Sequence, residues 1–231
     1  MCGRYSHILT WSEIHTLSGL LFPTPEEEPT RNYNVAPTQF CPIVVSDGSH
    51  IWGERATWGL IPFWWSKDLS EKKFTTFNAK AEEITQKSTY KVPVRRHRAL
   101  VPANCFYEWR KSDKQPFAIG IRGEGASGFS PFFMAGIWTH WAGHLNAAPF
   151  EAYSFSILTR AAGDEMALIH PREPAILLKE EIEAWLKVPL DQILPQILQP
   201  LPSQLRHYFP IEKRVGKVSN NDPDLWRPLC D

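Results

Sequence analysis

The central part of the chain, from Phe40 to about Phe155, is a succession of short strand-like runs separated by turns. The runs are rich in β-branched and aromatic residues, and turn signals such as Asp47-Gly48 interrupt them, which is typical of a sheet built from many short strands. The core is therefore expected to be a sheet. The predicted strands are Pro42 to Val45, Ala99 to Val101, Phe117 to Ile121, Phe132 to Trp138 and Tyr153 to Leu158.

Helical patterns flank this region and interrupt it once. Thr10-Trp11-Ser12-Glu13 has the form of a capping box, and apolar residues follow at helical spacing until Phe22-Pro23. The chain has no internal repeat and no linker poor in apolar residues, so we expect one α+β domain over residues 1–231 with an antiparallel or barrel-like sheet. The other predicted helices are Ala79 to Gln86, Ala162 to Leu168, Lys179 to Leu186 and Leu190 to Leu198.

Composition excludes several classes of protein. The 231 residues carry 25 Lys plus Arg and 25 Asp plus Glu, so a nucleic acid could be bound only through a local basic patch. A hydrophobic content of 43% with 22% charged residues is that of a globular protein. Residues 125–150 lack charged side chains but contain glycines, a proline and histidines, so no membrane span is expected. Without a secretory signal, a cytoplasmic location is expected.

The four cysteines, Cys2, Cys41, Cys105 and Cys230, form no Cys-x-x-Cys pair. Neither disulfides nor a zinc site are therefore expected, and no other cofactor is indicated. Cys41 and Cys105 lie in apolar runs, which favours a role as small buried hydrophobic residues.

Cys2 becomes the first residue if Met1 is removed, and it then carries an amine and a thiol on adjacent carbons. Their reference pKa values, roughly 7.7–8.0 and 8.5, make both groups available as nucleophiles near neutral pH. Such an aminothiol can attack an amide carbonyl through sulfur, or it can condense with an aldehyde to an imine that the thiol closes to a thiazolidine. Position alone favours a third interpretation, a frayed terminus.

Three further polar residues lie within apolar or small-residue segments. Glu108 stands between Tyr107 and Trp109, where burial would raise its pKa toward that of a general acid or base. The structural alternatives are a salt bridge from Glu108 to Arg110 or another strand residue, a capping or core role for His170, and a helix N-cap role for Asn78.

Two local features are compatible with contact to single-stranded nucleic acid, and each also has a structural alternative. Trp64 and Trp65 follow a predicted turn and stand near Lys67, an arrangement suited to base stacking at about 1–3 kcal/mol per base. The alternatives are a core position for the tryptophans and a solvated surface for the basic clusters. These clusters are Lys91 with Arg95, Arg96 and Arg98; Arg110 with Lys111; and Lys213, Arg214 and Lys217.

Taken together, the motifs resemble those of the SOS-response-associated peptidase (SRAP) family, in family order and over nearly the whole chain. They are Met1-Cys2-Gly3-Arg4-Tyr5, Tyr33-Asn34-Val35-Ala36-Pro37-Thr38, Trp58-Gly59-Leu60-Ile61-Pro62 with Trp64-Trp65, Asn78-Ala79-Lys80-Ala81-Glu82, Arg98-Ala99-Leu100-Val101-Pro102-Ala103, Phe106-Tyr107-Glu108-Trp109, Pro116-Phe117, Ala135-Gly136-Ile137-Trp138, Thr159, Ile169-His170 and Val215-Gly216-Lys217-Val218.

This resemblance implies a single α+β domain around a distorted antiparallel β-barrel-like core with flanking helices. It also implies a covalent thiazolidine crosslink between Cys2 and abasic sites in single-stranded DNA, including junctions with duplex. By the same resemblance, Asn78 holds Cys2 and the sugar, Glu108 transfers protons, and His170 stabilises the opened sugar. Schiff-base lyase activity and autoproteolytic removal of Met1 are implied as well.

The resemblance also implies a set of DNA contacts. Two departures from the family pattern bear on them. Lys80 stands where an arginine is frequent, and a lysine lacks the bidentate phosphate geometry of an arginine. Pro171 and Glu173 flank Arg172 where other members often have a polar residue and a Met or Arg. A monomer is expected, since no heptad pattern is present, and association with the nucleoid is expected if the protein is bacterial. The implied contacts are Arg4, Trp64, Trp65, Lys80, Trp109, Thr159 and Arg172.

Two other functions fit parts of the sequence. Class II glutamine amidotransferases also begin Met-Cys-Gly, but they typically carry an Asn-Gly segment, and this chain has no Asn-Gly dipeptide. A noncovalent single-strand binding module with an idle Cys2 is the second alternative, and it predicts that Cys2→Ala leaves DNA association unchanged.

Overall fold

A computed structural model describes residues 2–124 and 128–229, so Met1, residues 125–127, Cys230 and Asp231 lie outside it, together with the expectations that concern Met1 and Cys230. Strands dominate the described part. They are β1 (Tyr5–His7), β2 (Asn32–Val35), β3 (Phe40–Ser46), β4 (Ile51–Trp58), β5 (Asn78–Lys80), β6 (Arg98–Ala103), β7 (Cys105–Trp109), β8 (Pro116–Arg122), β9 (Phe129–Ser130), β10 (Phe132–Leu145), β11 (Ala148–Ala161), β12 (Arg172–Pro174), β13 (Ile176–Leu177) and β14 (Arg206–Pro210). The α-helices are α1 (Trp11–Ser18), α2 (Pro93–Arg96), α3 (Asp164–Ala167), α4 (Lys179–Lys187) and α5 (Leu190–Ile197).

Five strands close into a barrel. The larger sheet runs β12-β11-β4-β3-β6-β10-β13, and an additional pairing of β10 with β11 joins its two arms into the ring β11-β4-β3-β6-β10. The ring is antiparallel except where β11 runs parallel to β4. The predicted α+β fold with a distorted barrel-like core is thereby confirmed.

A second sheet, β14-β8-β7-β1-β2 with β9 beside β8, packs against the barrel. In this sheet Tyr5 of β1 pairs with Phe106 of β7, and Ser6 pairs with Cys105. This register matters for function because it brings the first residues of the chain alongside the strand that carries Glu108.

The predicted strands are confirmed, but two of them are much longer than their apolar runs. β10 and β11 each span 14 residues and pair in register from Gly136↔Ile157 to Leu145↔Ala148. Asn146 and Ala147 form the turn with φ values of 52° and 66°, the left-handed geometry that suits a two-residue hairpin. Both turn amides donate to the Asp68 carboxylate, at 3.0 and 2.8 Å.

The capping box of α1 is confirmed, since Glu13 N–H donates to Thr10 Oγ1 and Thr10 N–H donates to Glu13 Oε2. The helix ends earlier than predicted, at Gly19, whose φ of 68° terminates it. The predicted helix from Ala79 to Gln86 is wrong. Residues 78–80 are strand β5, which pairs in parallel with β11, and only a 3₁₀ turn, Ala81–Glu83, follows. Tertiary pairing overrides local helix propensity here.

The remaining helices approximate the predictions. α4 and α5 lie where expected, and α3 is shorter than its predicted span because it begins after Gly163. Cys41 and Cys105 are buried, with exposures of 2% and 0%, as the apolar runs around them predict. No helix in the described ranges is long and apolar enough to cross a membrane.

A buried ionic cluster links the two sheets. Glu173 of β12 accepts from Arg160 Nε of β11 at 3.1 Å and from Arg206 Nη2 of β14 at 2.7 Å. All three side chains are at most 2% exposed. The Leu201 amide also donates to Glu173 Oε1 at 3.1 Å. One carboxylate thus forms ion pairs with two guanidinium groups that solvent does not reach.

We expect Glu173→Gln to lower the free energy of unfolding by about 3–5 kcal/mol, because it leaves two buried guanidinium groups without an anion. Urea denaturation followed by circular dichroism would measure this. Glu165→Gln, at an exposed position, is the matched control and should change little. Equal stability of the two variants would show that this cluster does not hold the sheets together.

Candidate active site

Cys2 lies inside the barrel end rather than at a frayed terminus. Its side chain is 0% exposed and belongs to the same apolar cluster as Tyr5, Trp58 and Phe155. The β1–β7 pairing continues back to Arg4, whose carbonyl accepts from the Tyr107 amide at 2.9 Å. Burial and the neighbouring Glu108 carboxylate both raise the pKa of the Cys2 thiol far above its ordinary value.

Glu108 occupies β7 and is 5% exposed. Burial raises the pKa of Glu108 to about 7, which suits a group that both gives and takes protons near neutral pH. The alternative partner Arg110 is bound elsewhere, in a bidentate contact with Asp113. The predicted burial of Glu108 is therefore present, and the alternative salt bridge to Arg110 is not.

His170 stands on the loop between α3 and β12, with Nδ1 3.9 Å from Glu108 Oε1. Nδ1 also lies 3.0 Å from the carbonyl and 3.1 Å from the amide of Arg172, and the ring tautomer decides which of the two bonds forms. Burial lowers the pKa of His170, so the neutral ring is favoured at pH 7. The Lys111 amide donates to the Ile169 carbonyl at 3.2 Å and ties this loop to the end of β7.

Asn78 opens β5 and reaches the same place from a third direction. Its Nδ2 donates to the Cys2 carbonyl at 2.6 Å, and its backbone pairs with β11, so it is not a helix cap. Asn78 Oδ1 is buried and has no hydrogen-bond partner among the described residues, which leaves an acceptor at the site. Tyr90 Oη donates to the Asn78 carbonyl at 3.2 Å and fixes the strand end.

The four residues predicted to be catalytic therefore converge from four separate segments. Asn78 binds the backbone of Cys2, the Glu108 charge acts on the Cys2 thiol, and His170 faces Glu108. A thiol, a proton-transfer group, an amide and an imidazole around one point form the set of groups that nucleophilic chemistry on a carbonyl requires. No cluster of three potential metal ligands occurs among residues 2–124 and 128–229.

A cleft of about 300 Å³ opens beside Asn78. Lys80 and Lys87 line it, but Glu83 lies within 3.4 Å of the one and 3.3 Å of the other. Phe77 adds an aromatic side chain to its lining. Positive charge is available at its rim once Glu83 is displaced.

Arg172 is clamped rather than free. Its guanidinium donates to both Glu82 oxygens at 2.8 and 2.9 Å, and to the Thr159 carbonyl at 2.6 Å. Thr159 is 0% exposed, and its Oγ1 lies 3.2 Å from Arg172 Nη2. Of these two expected DNA contacts, Arg172 reaches the surface and Thr159 lies behind it.

Arg4 is half-buried under the C-terminal segment. Its Nη1 donates to Asn34 Oδ1 and to the Val215 carbonyl, both at 2.8 Å, and its guanidinium lies 6.0 Å from the Trp109 ring centroid. Arg4 and Trp109 therefore form one local pair beside Cys2 and Glu108, their neighbours in the chain.

The tandem tryptophans stand on the loop after β4. Trp64 is 44% exposed, whereas Trp65 is partly buried and held through the Trp141 indole, which donates to the Trp65 carbonyl at 2.8 Å. The centroids of the Trp64 and Trp65 rings are 6.4 Å apart. One ring thus offers a stacking face to solvent while the other anchors it.

Sequence reasoning missed two supporting residues. Glu82 holds Arg172, and it lies in the motif that begins at Asn78, four positions away. Asn34 is fully buried and binds Arg4, and its Nδ2 also donates to the carbonyls of Val215, Lys217 and Asn220. The only sequence signal for Asn34 was its place in the motif Tyr33-Asn34-Val35-Ala36-Pro37-Thr38.

Curated proteins resemble the chain over nearly its full length. Abasic site processing protein YoaM of Bacillus subtilis (strain 168) is 30% identical over 232 residues, 97% of each chain. Abasic site processing protein YedK of Escherichia coli (strain K12) is 28% identical, over 99% of this chain and 100% of that one. Abasic site processing protein HMCES of Gallus gallus is 30% identical, over 86% of this chain and 66% of that one.

Solved structures and the family assignment agree with these relatives. A crystal structure of a protein from Bacteroides thetaiotaomicron superposes with a TM-score of 0.84 at 25% identity, covering 99% of this chain and 100% of that one. Residues 1–218 match the family described as SOS response associated peptidase (SRAP). The chain therefore belongs to the SRAP family.

Proposed function

We propose that this protein captures abasic sites in single-stranded DNA, including those at junctions with duplex, as a covalent thiazolidine on Cys2. The names of its relatives supply the class of lesion. The observation that carries the proposal is the convergence on Cys2 of an amide from Asn78, a carboxyl from Glu108 and, through Glu108, the ring of His170.

The reaction begins with hydrolysis of the peptide bond between Met1 and Cys2, which frees the Cys2 amine. The amine attacks the C1′ aldehyde of the ring-opened sugar, and loss of water gives an imine. The Cys2 thiol then adds across the carbon–nitrogen double bond, forming a carbon–sulfur bond and transferring its proton. Aldehyde and aminothiol thus become thiazolidine and water, with no change of oxidation state. The imine also permits β-elimination, which would appear as lyase activity.

Glu108 is the proton carrier in this sequence. Its pKa of about 7 allows the carboxyl to protonate the departing hydroxyl and the carboxylate to accept the thiol proton. Such an acceptor is needed because burial keeps the Cys2 thiol protonated. His170, neutral at pH 7, hydrogen-bonds the hydroxyl of the opened sugar, and Asn78 fixes Cys2.

DNA reaches this site along a rim of cations and aromatic rings. Phosphates displace Glu83 from Lys80 and compete with Glu82 for Arg172, which Thr159 positions from behind. The exposed Trp64 ring, braced by Trp65, stacks on a base at the duplex end, and Arg4 with Trp109 lines the approach to Cys2.

We expect a denaturing gel to show a shifted band for protein mixed with single-stranded DNA that carries one abasic site. Cys2→Ala should abolish the band, because both the thiol and its part in ring closure are lost. Cys41→Ala, which removes a buried cysteine outside the site, is the matched control and should still crosslink.

Intact DNA should give no band with any variant. If no covalent band forms although mass spectrometry shows Met1 to be absent, the proposal is wrong. Glutamine hydrolysis would then identify an amidotransferase, and DNA retention unaffected by Cys2→Ala would identify a noncovalent binding module.

We expect Glu108→Gln to slow crosslinking, its reversal or both by roughly 10²-fold, because the amide cannot exchange a proton. In the unmodified protein the rate should change with an apparent pKa near 7, and this dependence should vanish in the variant. Stopped time courses from pH 5.5 to 8.5, on the order of one sample per half unit, would measure it. Glu180→Gln, an exposed carboxyl, should retain the full profile.

The same variant tests the pKa of Glu108 independently of activity. Because folding raises this pKa from 4.5 to about 7, the neutral carboxyl stabilises the fold below pH 4.5, and that contribution is lost as the pH rises through 7. The loss amounts to about 3 kcal/mol. Urea titrations at several pH values should show Glu108→Gln gaining stability relative to the unmodified protein toward pH 8, and parallel curves would contradict the shift.

We expect Asn78→Ala to reduce capture of abasic DNA by about tenfold while leaving the thermal midpoint nearly unchanged. The side chain holds Cys2 through one hydrogen bond, worth about 1 kcal/mol, whereas β5 pairs with β11 through backbone groups. Gln86→Ala, an exposed amide, is the control. A large fall in melting temperature with capture intact per folded molecule would assign Asn78 a structural role instead.

A further inference from the structure

A buried cation without an anion lies on the side of the barrel formed by β6 and α4. Arg98, the first residue of β6, is 5% exposed, and within residues 2–124 and 128–229 its Nη1 has no hydrogen-bond partner. Its guanidinium lies 5.3 Å from the Trp185 ring centroid. No carboxylate in the described ranges forms an ion pair with it.

Burying a charge without an anion is costly, and in the described part of the chain it distinguishes Arg98 from the two arginines that bind Glu173. A guanidinium does not lose its proton in a protein, so burial cannot neutralise it, and buried charges are normally paired. Burial lowers the pKa of Arg98, and no acidic neighbour offsets the effect. By contrast, Arg160 and Arg206 are buried as deeply, and each is bound to Glu173. Unlike those two, Arg98 is a buried guanidinium without a carboxylate partner among the described residues.

A cavity of about 570 Å³ opens against Arg98. Arg95 and Thr85 also line it, and Leu190 and Leu194 of α5 form an apolar wall. Asp191 is the acidic residue of this lining. The cavity is larger than a bare oxyanion and has room for an organic group against the leucines.

Further positive charge continues from this cavity along α2. A second cavity of about 530 Å³ is lined by Lys91, Val92, Arg95 and Arg96, with Arg95 common to both. Four cations thus stand against the single carboxylate of Asp191. That excess favours a ligand with more than one negative charge, or with several charges in a row.

We propose that the Arg98 cavity binds the phosphate group of a phosphate ester, with Arg98 as its buried partner, Arg95 as its exposed partner, and the leucines against the organic part. The fork of a guanidinium matches two phosphate oxygens, and a desolvated fork binds them more strongly than an exposed one. The lining shares no residue with Cys2, Asn78, Glu108 or His170, so the proposal does not rest on covalent DNA capture.

The test is isothermal titration calorimetry at constant ionic strength with inorganic phosphate, deoxyadenosine 5′-monophosphate, deoxyadenosine, and a single-stranded oligonucleotide without an abasic site. We expect the phosphorylated compounds to bind and deoxyadenosine not to bind. Arg98→Met should weaken binding by at least about tenfold, Arg95→Gln by less, and Arg98→Lys should restore part of it. Arg31→Gln, an exposed arginine outside the lining, is the matched control.

A second readout protects the test against a variant that fails to fold. The Trp185 indole N–H donates to the carbonyls of Ala99 and Gly136 directly beneath Arg98, so its nitrogen-15 resonance should shift when phosphate binds the unmodified protein. Arg95→Gln, at an exposed position, should reduce that shift at equal phosphate concentration.

The four titrated compounds also distinguish a free phosphorylated ligand from the phosphate backbone of a nucleic acid. Binding of inorganic phosphate or the monophosphate identifies a site for a free phosphorylated ligand, and binding of the oligonucleotide alone identifies a site for the nucleic-acid backbone. Both results require the loss in Arg98→Met. If no phosphorylated compound binds, or if folded Arg98→Met binds as well as the unmodified protein, the proposal is wrong.

Discussion

Strand β11 is the element on which the rest of the structure depends. It closes the barrel by pairing with β10 on one side and β4 on the other, and it also pairs with β5 and β12. β5 carries Asn78, and β12 follows His170 and carries Arg172. The strand that closes the barrel therefore also positions the segments that carry Asn78, His170 and Arg172, whereas Cys2 and Glu108 come from the second sheet.

Burial determines the chemistry of the site more than any single ion pair. The pKa of the Cys2 thiol rises because the barrel end excludes water and Glu108 is near, and the pKa of Glu108 rises to about 7 for the first of these reasons. Burial shifts the pKa of His170 in the opposite direction, since its charged form is the cation. A dry barrel end thus favours neutral forms of all three groups, which suits stepwise proton transfer near pH 7.

Many of the cationic side chains described above form ion pairs with carboxylates. Glu173 serves two buried arginines, Glu82 holds Arg172, and Glu83 lies between two lysines of the cleft. Breaking one of the buried pairs would destabilise the fold, because it would leave an unpaired charge in the protein interior. The more exposed pairs contribute little to stability and cost little to break. Arg98 departs from this pattern, because its Nη1 has no hydrogen-bond partner among the described residues.

The sequence by itself predicted the strand-rich core and the α1 cap, because strand-like runs between turns and capping boxes are local patterns. It also singled out Cys2, Asn78, Glu108 and His170, which the fold brings close together. The local sequence pattern wrongly assigned residues 79–86 to a helix and underestimated the lengths of β10 and β11. Pairing between strands, rather than local propensity, determines the structure of these segments. Glu82, Asn34 and the isolation of Arg98 emerged only from the tertiary structure. Whether a charge has a partner depends on what the fold places beside it, and those neighbours are far away in the chain.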